Sequence, residues 1–129
     1  KTPYSSFLNK PKKPRPFKTI YIGLEADRSE IYNRINARVE TMFKAGLLNE
    51  AKALYLNKTL NALQTVGYKE LFLHFDGQLT LNQAKEAIKQ NTRRFAKRQL
   101  TWYRKNPDVN WFPNTTAVKD VLKALNGVY

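Results

Sequence analysis

The chain has 129 residues, 42% hydrophobic and 12% aromatic, which is about one domain and too apolar to stay disordered. Lys and Arg number 23 against 10 acids, and the formal net charge of +13 points to phosphate-bearing partners, nucleic acid first. Cysteine is absent and His74 is the single histidine, which excludes disulfides and thiolate metal sites, while the lack of any apolar run near ~18 residues argues for a soluble, cytoplasmic protein without a membrane anchor.

Residues 1–18 carry four of the six prolines and six basic residues with no acid, so a Pro-rich basic loop or linker is expected there, followed by a folded unit over 19–129. The β-branched and aromatic run of residues 19–24 predicts a strand. Asp27 and Glu30 form a D-x-x-E start signal, and Ile31, Ile35, Val39, Met42 and Phe43 recur at helical spacing, predicting a helix over 28–45. Gly46 supplies a left-handed stop, and a shorter helix resumes over 48–56. A loop then leads into a helix over 66–75 that stops at Asp76-Gly77. Thr80 and Gln83 make a capping box opening a long helix over 80–104, ended by Pro107. A short strand over 109–112 and a helix over 116–125 complete the chain. The fold class expected is mostly α with a small sheet remnant, because two short strands ~85 residues apart are marginal without neighbours.

Three stretches carry the chemistry. The long helix holds NTRRFAKRQLTWYR, residues 91–104, with five basic side chains and no acid. On a helical wheel Leu81, Ala84, Ile88, Phe95 and Trp102 share an apolar stripe, and Arg93, Lys97 and Arg104 lie opposite, as on a solvated face. Asn91, Arg98 and Gln99 interrupt the stripe or its edge, where a polar group needs a partner; buried pairing and contact with a ligand or polynucleotide backbone both remain open. Arg34 and Arg38, four residues apart, offer two guanidinium forks suited to phosphate, with Arg38 nearer the buried face; Glu30 before Arg34 supplies the plain alternative of an exposed ion pair. In QTVGYK, Gly67 permits a tight entry to a helix whose free N–H groups attract phosphate, Tyr68 can stack and Lys69 can pair, whereas an ordinary N-cap at Thr65 is the structural alternative. No G-x-x-x-x-G-K-S/T loop, no nucleophile with a histidine base and no carboxylate cluster is present, so no catalytic residue is assigned.

The segments RINARVETMFKAGLLNEA, ALQTVGYKEL, IKQNTRRFAKRQLTWYR and VNWF, in this order from about Phe17 to about Phe112, resemble the C-terminal part of the tRNA dimethylallyltransferase (tRNA isopentenyltransferase) family. The resemblance implies a C-terminal fragment of a P-loop-type α/β transferase. Such enzymes use Mg2+ to move a dimethylallyl group from dimethylallyl diphosphate to the exocyclic amine of the adenosine 3′ of the anticodon, which is flipped out of its loop. It further implies that Arg38, with Arg34 beside it, contacts the diphosphate. Gln64, Thr65, Val66, Gly67, Tyr68 and Lys69 would contact the tRNA anticodon stem-loop, as would Arg93, Arg94, Phe95, Ala96, Lys97, Arg98, Gln99 and Leu100. Some members carry arginine where this chain has Gln64 and Lys69, and lysine lacks the bidentate fork. The P-loop, the catalytic aspartate and most of the Mg2+ site are expected upstream of Lys1, in a full-length monomer, leaving these 129 residues inactive alone. The alternative is a stand-alone basic helical nucleic-acid-binding module; a basic adaptor for acidic proteins is a third reading.

Overall fold

The computed structural model describes residues 16–125 together with Pro3, Ser5 and Leu8. The Pro-rich segment expected over 1–18 therefore lies largely outside the described residues. Strand β1 (Tyr21–Glu25) leads into α1 (Arg28–Lys44) and α2 (Leu47–Leu54). Two single 3-10 turns, Tyr55–Asn57 and Asn61–Leu63, precede α3 (Tyr68–Phe75) and α4 (Leu81–Tyr103), and β2 (Val109–Pro113) and α5 (Val118–Leu125) follow. The chain is mostly helical with one two-stranded sheet.

Helix starts divide by how their caps form. At α4 the expected box closes in both directions: Gln83 N–H donates to Thr80 Oγ1 (3.2 Å) and Thr80 N–H to Gln83 Oε1 (2.8 Å). At α1 it does not, because Asp27 makes no side-chain cap bond and Glu30 Oε1 instead accepts from Asn114 Nδ2 (2.8 Å) and Arg34 (3.5 Å). The D-x-x-E signal thus marks the right place through different contacts. Gly46, at φ +102°, is both the left-handed end of α1 and the start of α2, a conformation that strains any residue with a Cβ. Gly67, at φ +108°, delays α3 to Tyr68 rather than the expected 66, and α2 yields to a 3-10 turn at Tyr55. The last helix begins at Val118 rather than 116: Thr116 N–H closes a turn to Pro113 O (2.9 Å), and Ala117 O accepts from Asp120 N–H (2.9 Å) and Val121 N–H (3.2 Å) at the helix start.

One core joins four helices. Val39 of α1, Leu47 and Ala51 of α2, Leu71 and Phe72 of α3, and Ala84 and Ile88 of α4 are buried together, with Phe43, Tyr55, Leu63, Tyr68 and Phe75 packed around them. Met42, expected on the inner face of α1, is exposed. The apolar stripe of α4 is buried only in its first half: beyond Ile88, Phe95 is 56% and Trp102 69% exposed. The reason is geometric, since α3 has eight residues and α4 has 23, so the later turns of α4 outrun the helix they pack on.

β1 and β2 pair in parallel, Tyr21 opposite Val109 through Glu25 opposite Pro113, one residue beyond each expected strand end. Helices α1 to α4 lie between the two strands in sequence, and a parallel connection requires such a crossover. Gly23 sits directly beneath the Trp111 ring: a Cβ there would come within 2.6 Å of Trp111 Cε3 and 2.8 Å of Val109 Cγ1. Gly23→Ala should accordingly force the indole aside and destabilise by about 1–3 kcal/mol in a urea melt followed by Trp fluorescence. An unchanged melt would mean the indole moves freely.

Candidate nucleic-acid interface

The second half of α4 carries the exposed charge. Arg94, Lys97, Arg98, Thr101, Trp102 and Lys105 line an open groove of about 430 Å³ with four cations and no acid. Arg98 holds its guanidinium 5.9 Å from the exposed Phe95 ring, a cation–π pair that leaves both groups facing solvent. Lys97 and Gln99 are exposed, whereas Ala96 and Leu100 are half-buried. Leu100 and Gln99 border a second cleft of about 390 Å³, lined by no charged side chain, against Tyr21, Ile22, Leu24 and Trp111 of the sheet. Arg98 and Gln99, expected inside or at the edge of the apolar stripe, are exposed; of the three polar residues there, Asn91 is the internally paired one, its Nδ2 donating to Glu70 Oε1 (2.7 Å).

Arg93 departs most from expectation. It is half-buried against α1 rather than on a solvated face, donating from Nη1 to Asn36 Oδ1 (2.7 Å) with its guanidinium 5.9 Å from the Tyr32 ring. Asn36 lies between Arg34 and Arg38 in the chain. Arg34 is exposed and reaches Glu30 at 3.5 Å; Arg38 is exposed and has no partner among the described residues, not turned toward the core as expected.

The turn of residues 64–69 is held from three sides. Gln64 Nε2 donates to Lys58 O (2.5 Å), and Lys58 Nζ in turn reaches Asp76 Oδ1 (2.5 Å), which also accepts from the Tyr55 hydroxyl. Lys58 and Tyr55 together hold the Asp76 carboxyl below its ordinary pKa, and Asp76 raises that of Lys58. Tyr68 is not free to stack on a base: its ring lies on Phe72 (6.2 Å between centroids, 17°) and its hydroxyl donates to Glu50, which pushes the phenol pKa up. Thr65 makes no side-chain cap; the N-terminus of α3 is closed by Glu70 Oε2, which accepts from Gly67 N–H (2.8 Å). Thr65, Val66 and Lys69 remain exposed, and Gly67 is buried.

Three stretches far apart in sequence therefore meet on one turn of α4. Asn91 holds the residue that caps the 64–69 turn, and Arg93 holds the α1 residue between the two paired arginines. Glu70, Tyr32 and Asn36 were not singled out in the sequence. Glu70 stood three residues after Gly67, a capping-box position, and Tyr32 and Asn36 are four apart on one helical flank; nothing local named their partners.

A second clasp between α1 and α4 lies one turn further toward the α4 N-terminus. Lys85 and Lys89 bracket Glu40 at 2.5 and 2.9 Å, and Lys89 also reaches Glu86 (2.6 Å). The hydrogen bond from Lys85, then that from Lys89, lowers the Glu40 pKa from 4.5 to about 2. Since the folded value is depressed, the clasp contributes its full stability above pH 4.5 and loses it as pH falls from there through about 2. A carboxyl-carbon NMR titration is expected to place Glu40 near 2; a midpoint at 4.5 would show both lysines solvated.

The IPP transferase family model matches residues 1–106. The chain belongs to the IPP transferase family. Its relatives in that family include the tRNA dimethylallyltransferase of Flavobacterium johnsoniae, 58% identical over 120 residues, 93% of this chain and 39% of the relative. The tRNA dimethylallyltransferase of Christiangramia forsetii is 62% identical over 110 residues, 85% of this chain and 36% of that protein. Among solved structures, the full-length tRNA isopentenylpyrophosphate transferase of Bacillus halodurans superposes with a TM-score of 0.78 at 39% identity, covering 88% of this chain and 39% of that one. The chain thus spans about two-fifths of the IPP transferases it matches. Among the described residues no helix is long and apolar enough to cross a membrane, and no three acidic, histidine or cysteine side chains gather as metal ligands.

Proposed function

We propose that this chain works as part of a tRNA dimethylallyltransferase, supplying its tRNA-contacting surface and a diphosphate-contacting arginine. The exposed cations of α4, Arg94, Lys97 and Arg98, with Lys69 on the adjoining turn, follow the phosphates of the anticodon stem-loop. Arg38, exposed and unpaired among the described residues, stands ready for the diphosphate, and Arg34 exchanges its weak contact with Glu30 for the same anion. Arg93 serves by holding α4 on α1, an indirect part in RNA contact.

In the reaction the exocyclic amine of the adenosine 3′ of the anticodon forms a bond to C1 of the dimethylallyl group. The C1–O bond breaks, pyrophosphate leaves with the electron pair, and the amine gives up a proton to a base. The adenosine must first be flipped out of its loop, and the departing charge needs cationic donors. Mg2+ would neutralise part of the diphosphate charge; among the described residues no cluster of three acidic, histidine or cysteine side chains gathers to hold it. We place the phosphate cradle and the base in the part of the relatives' length that this chain does not span, and the setting in the cytoplasm, with a monomeric enzyme.

The observation that carries this reading is the 58% identity to a tRNA dimethylallyltransferase across 93% of the chain, which includes the whole cationic surface of α4. Its test has two arms. An anticodon hairpin should bind these 129 residues more tightly than a DNA duplex of equal length at the same salt; equal affinity would favour a general basic nucleic-acid-binding module. Incubated with dimethylallyl diphosphate, Mg2+ and unmodified tRNA, the same 129 residues should yield no isopentenyladenosine by nucleoside mass spectrometry. Turnover there would overturn the division of labour.

A further inference from the structure

Glu70 is the one buried acidic side chain among the described residues, 4% exposed. A carboxyl group in such a place costs stability unless both oxygens are bonded. Oε2 accepts from Gly67 N–H (2.8 Å) and Oε1 from Asn91 Nδ2 (2.7 Å), while Asn91 Oδ1 accepts from Arg94 Nη1 (3.3 Å). Among the described residues no cation bonds to Glu70 itself. The first of these bonds is an ordinary helix cap; the second crosses 21 residues to α4 and adds nothing to that cap.

We propose that Glu70 and Asn91 are a positioning pair for RNA recognition, fixing the 64–69 turn against the cationic stretch that begins at Arg94. The proposal rests on the RNA-binding reading above. Two contact segments held in one orientation engage a backbone together, whereas loosely joined segments must be ordered again at each encounter. The buried cluster that includes Leu71, Phe72, Ala84 and Ile88 contains neither Glu70 nor Asn91, so the fold has its own support.

The chemistry of the pair supplies its own control. In Glu70→Gln, the amide can still accept from Gly67, but its NH2 faces the Asn91 NH2. In Asn91→Asp, two carboxyl groups face each other. In the double swap Glu70→Gln/Asn91→Asp, the amide now at position 70 accepts from Gly67 and donates to the carboxylate now at position 91. That carboxylate still accepts from Arg94, and the net charge equals the wild type's. Hairpin affinity is measured for all four proteins at a temperature where circular dichroism shows each folded. Glu70→Gln should weaken binding on the order of tenfold, and the swap should return it to within about threefold of the wild type. Because Glu70→Gln removes a negative charge, electrostatics alone predicts tighter binding, so the sign separates positioning from charge.

Single variants that fold and bind like the wild type, or a swap that folds as stably as the wild type yet binds poorly, would overturn the pairing while leaving the RNA reading intact. If neither single variant folds, the swap decides by the same criterion. A wild-type chain that does not bind the hairpin at low salt overturns the RNA reading and the positioning role with it.

Discussion

Replacing Arg94, Lys97 and Arg98 together by alanine is expected to weaken anticodon-hairpin binding on the order of 10²-fold at physiological salt, with the fold unchanged. All three are exposed and none contributes to the core, so their loss acts on the complex rather than on the helix. Each phosphate contact releases a counterion, so the slope of log K against log salt should fall by about 2–3 for the triple variant. Arg93→Ala should behave differently. Its guanidinium is spent on Asn36 and Tyr32, so that variant should lower the melting temperature while leaving the salt slope nearly unchanged. A triple variant with a wild-type slope would show that α4 does not meet the phosphates at all.

The second large effect is on stability. Ile88→Ala should cost about 2–5 kcal/mol, read as a fall in the denaturation midpoint at unchanged m-value. Ile88 is 2% exposed and belongs to the cluster in which α1, α2, α3 and α4 meet, so its truncation is felt by all four helices. For a domain whose total stability is typically ~5–15 kcal/mol, such a loss brings unfolding within reach of moderate warming. Leu71→Ala, at an equally closed position on α3, should match it, and the two together should be non-additive because they line the same space. A cost below about 1 kcal/mol for Ile88→Ala would mean that the cluster collapses around the missing atoms.

Both predictions draw on one division within α4. Its first half is a core helix and its second half a displayed surface, although the apolar period runs through both, from Leu81 to Trp102. Periodicity records which face can be buried; the length of α3 decides how far burial goes. Phe95 and Trp102 are thus legible as one stripe with Ile88 yet stand largely in solvent.

Local chemistry was sufficient for the elements themselves. The Thr80–Gln83 box, the left-handed Gly46 and the helical spacing of α1 and α4 each depend on residues within a few positions, so a helix start, a stop and a long amphipathic run could be read without any neighbour. The charge of α4 and the family resemblance were likewise visible, because both lie in contiguous stretches. The parallel pairing of β1 with β2, the turn of Arg93 toward Asn36, and the bridge from Glu70 to Asn91 were decided only by the tertiary fold. Each joins groups that the chain separates by 21 residues or more, and a hydrogen bond depends on where two atoms come to rest, which packing of the shared core settles and no local pattern encodes.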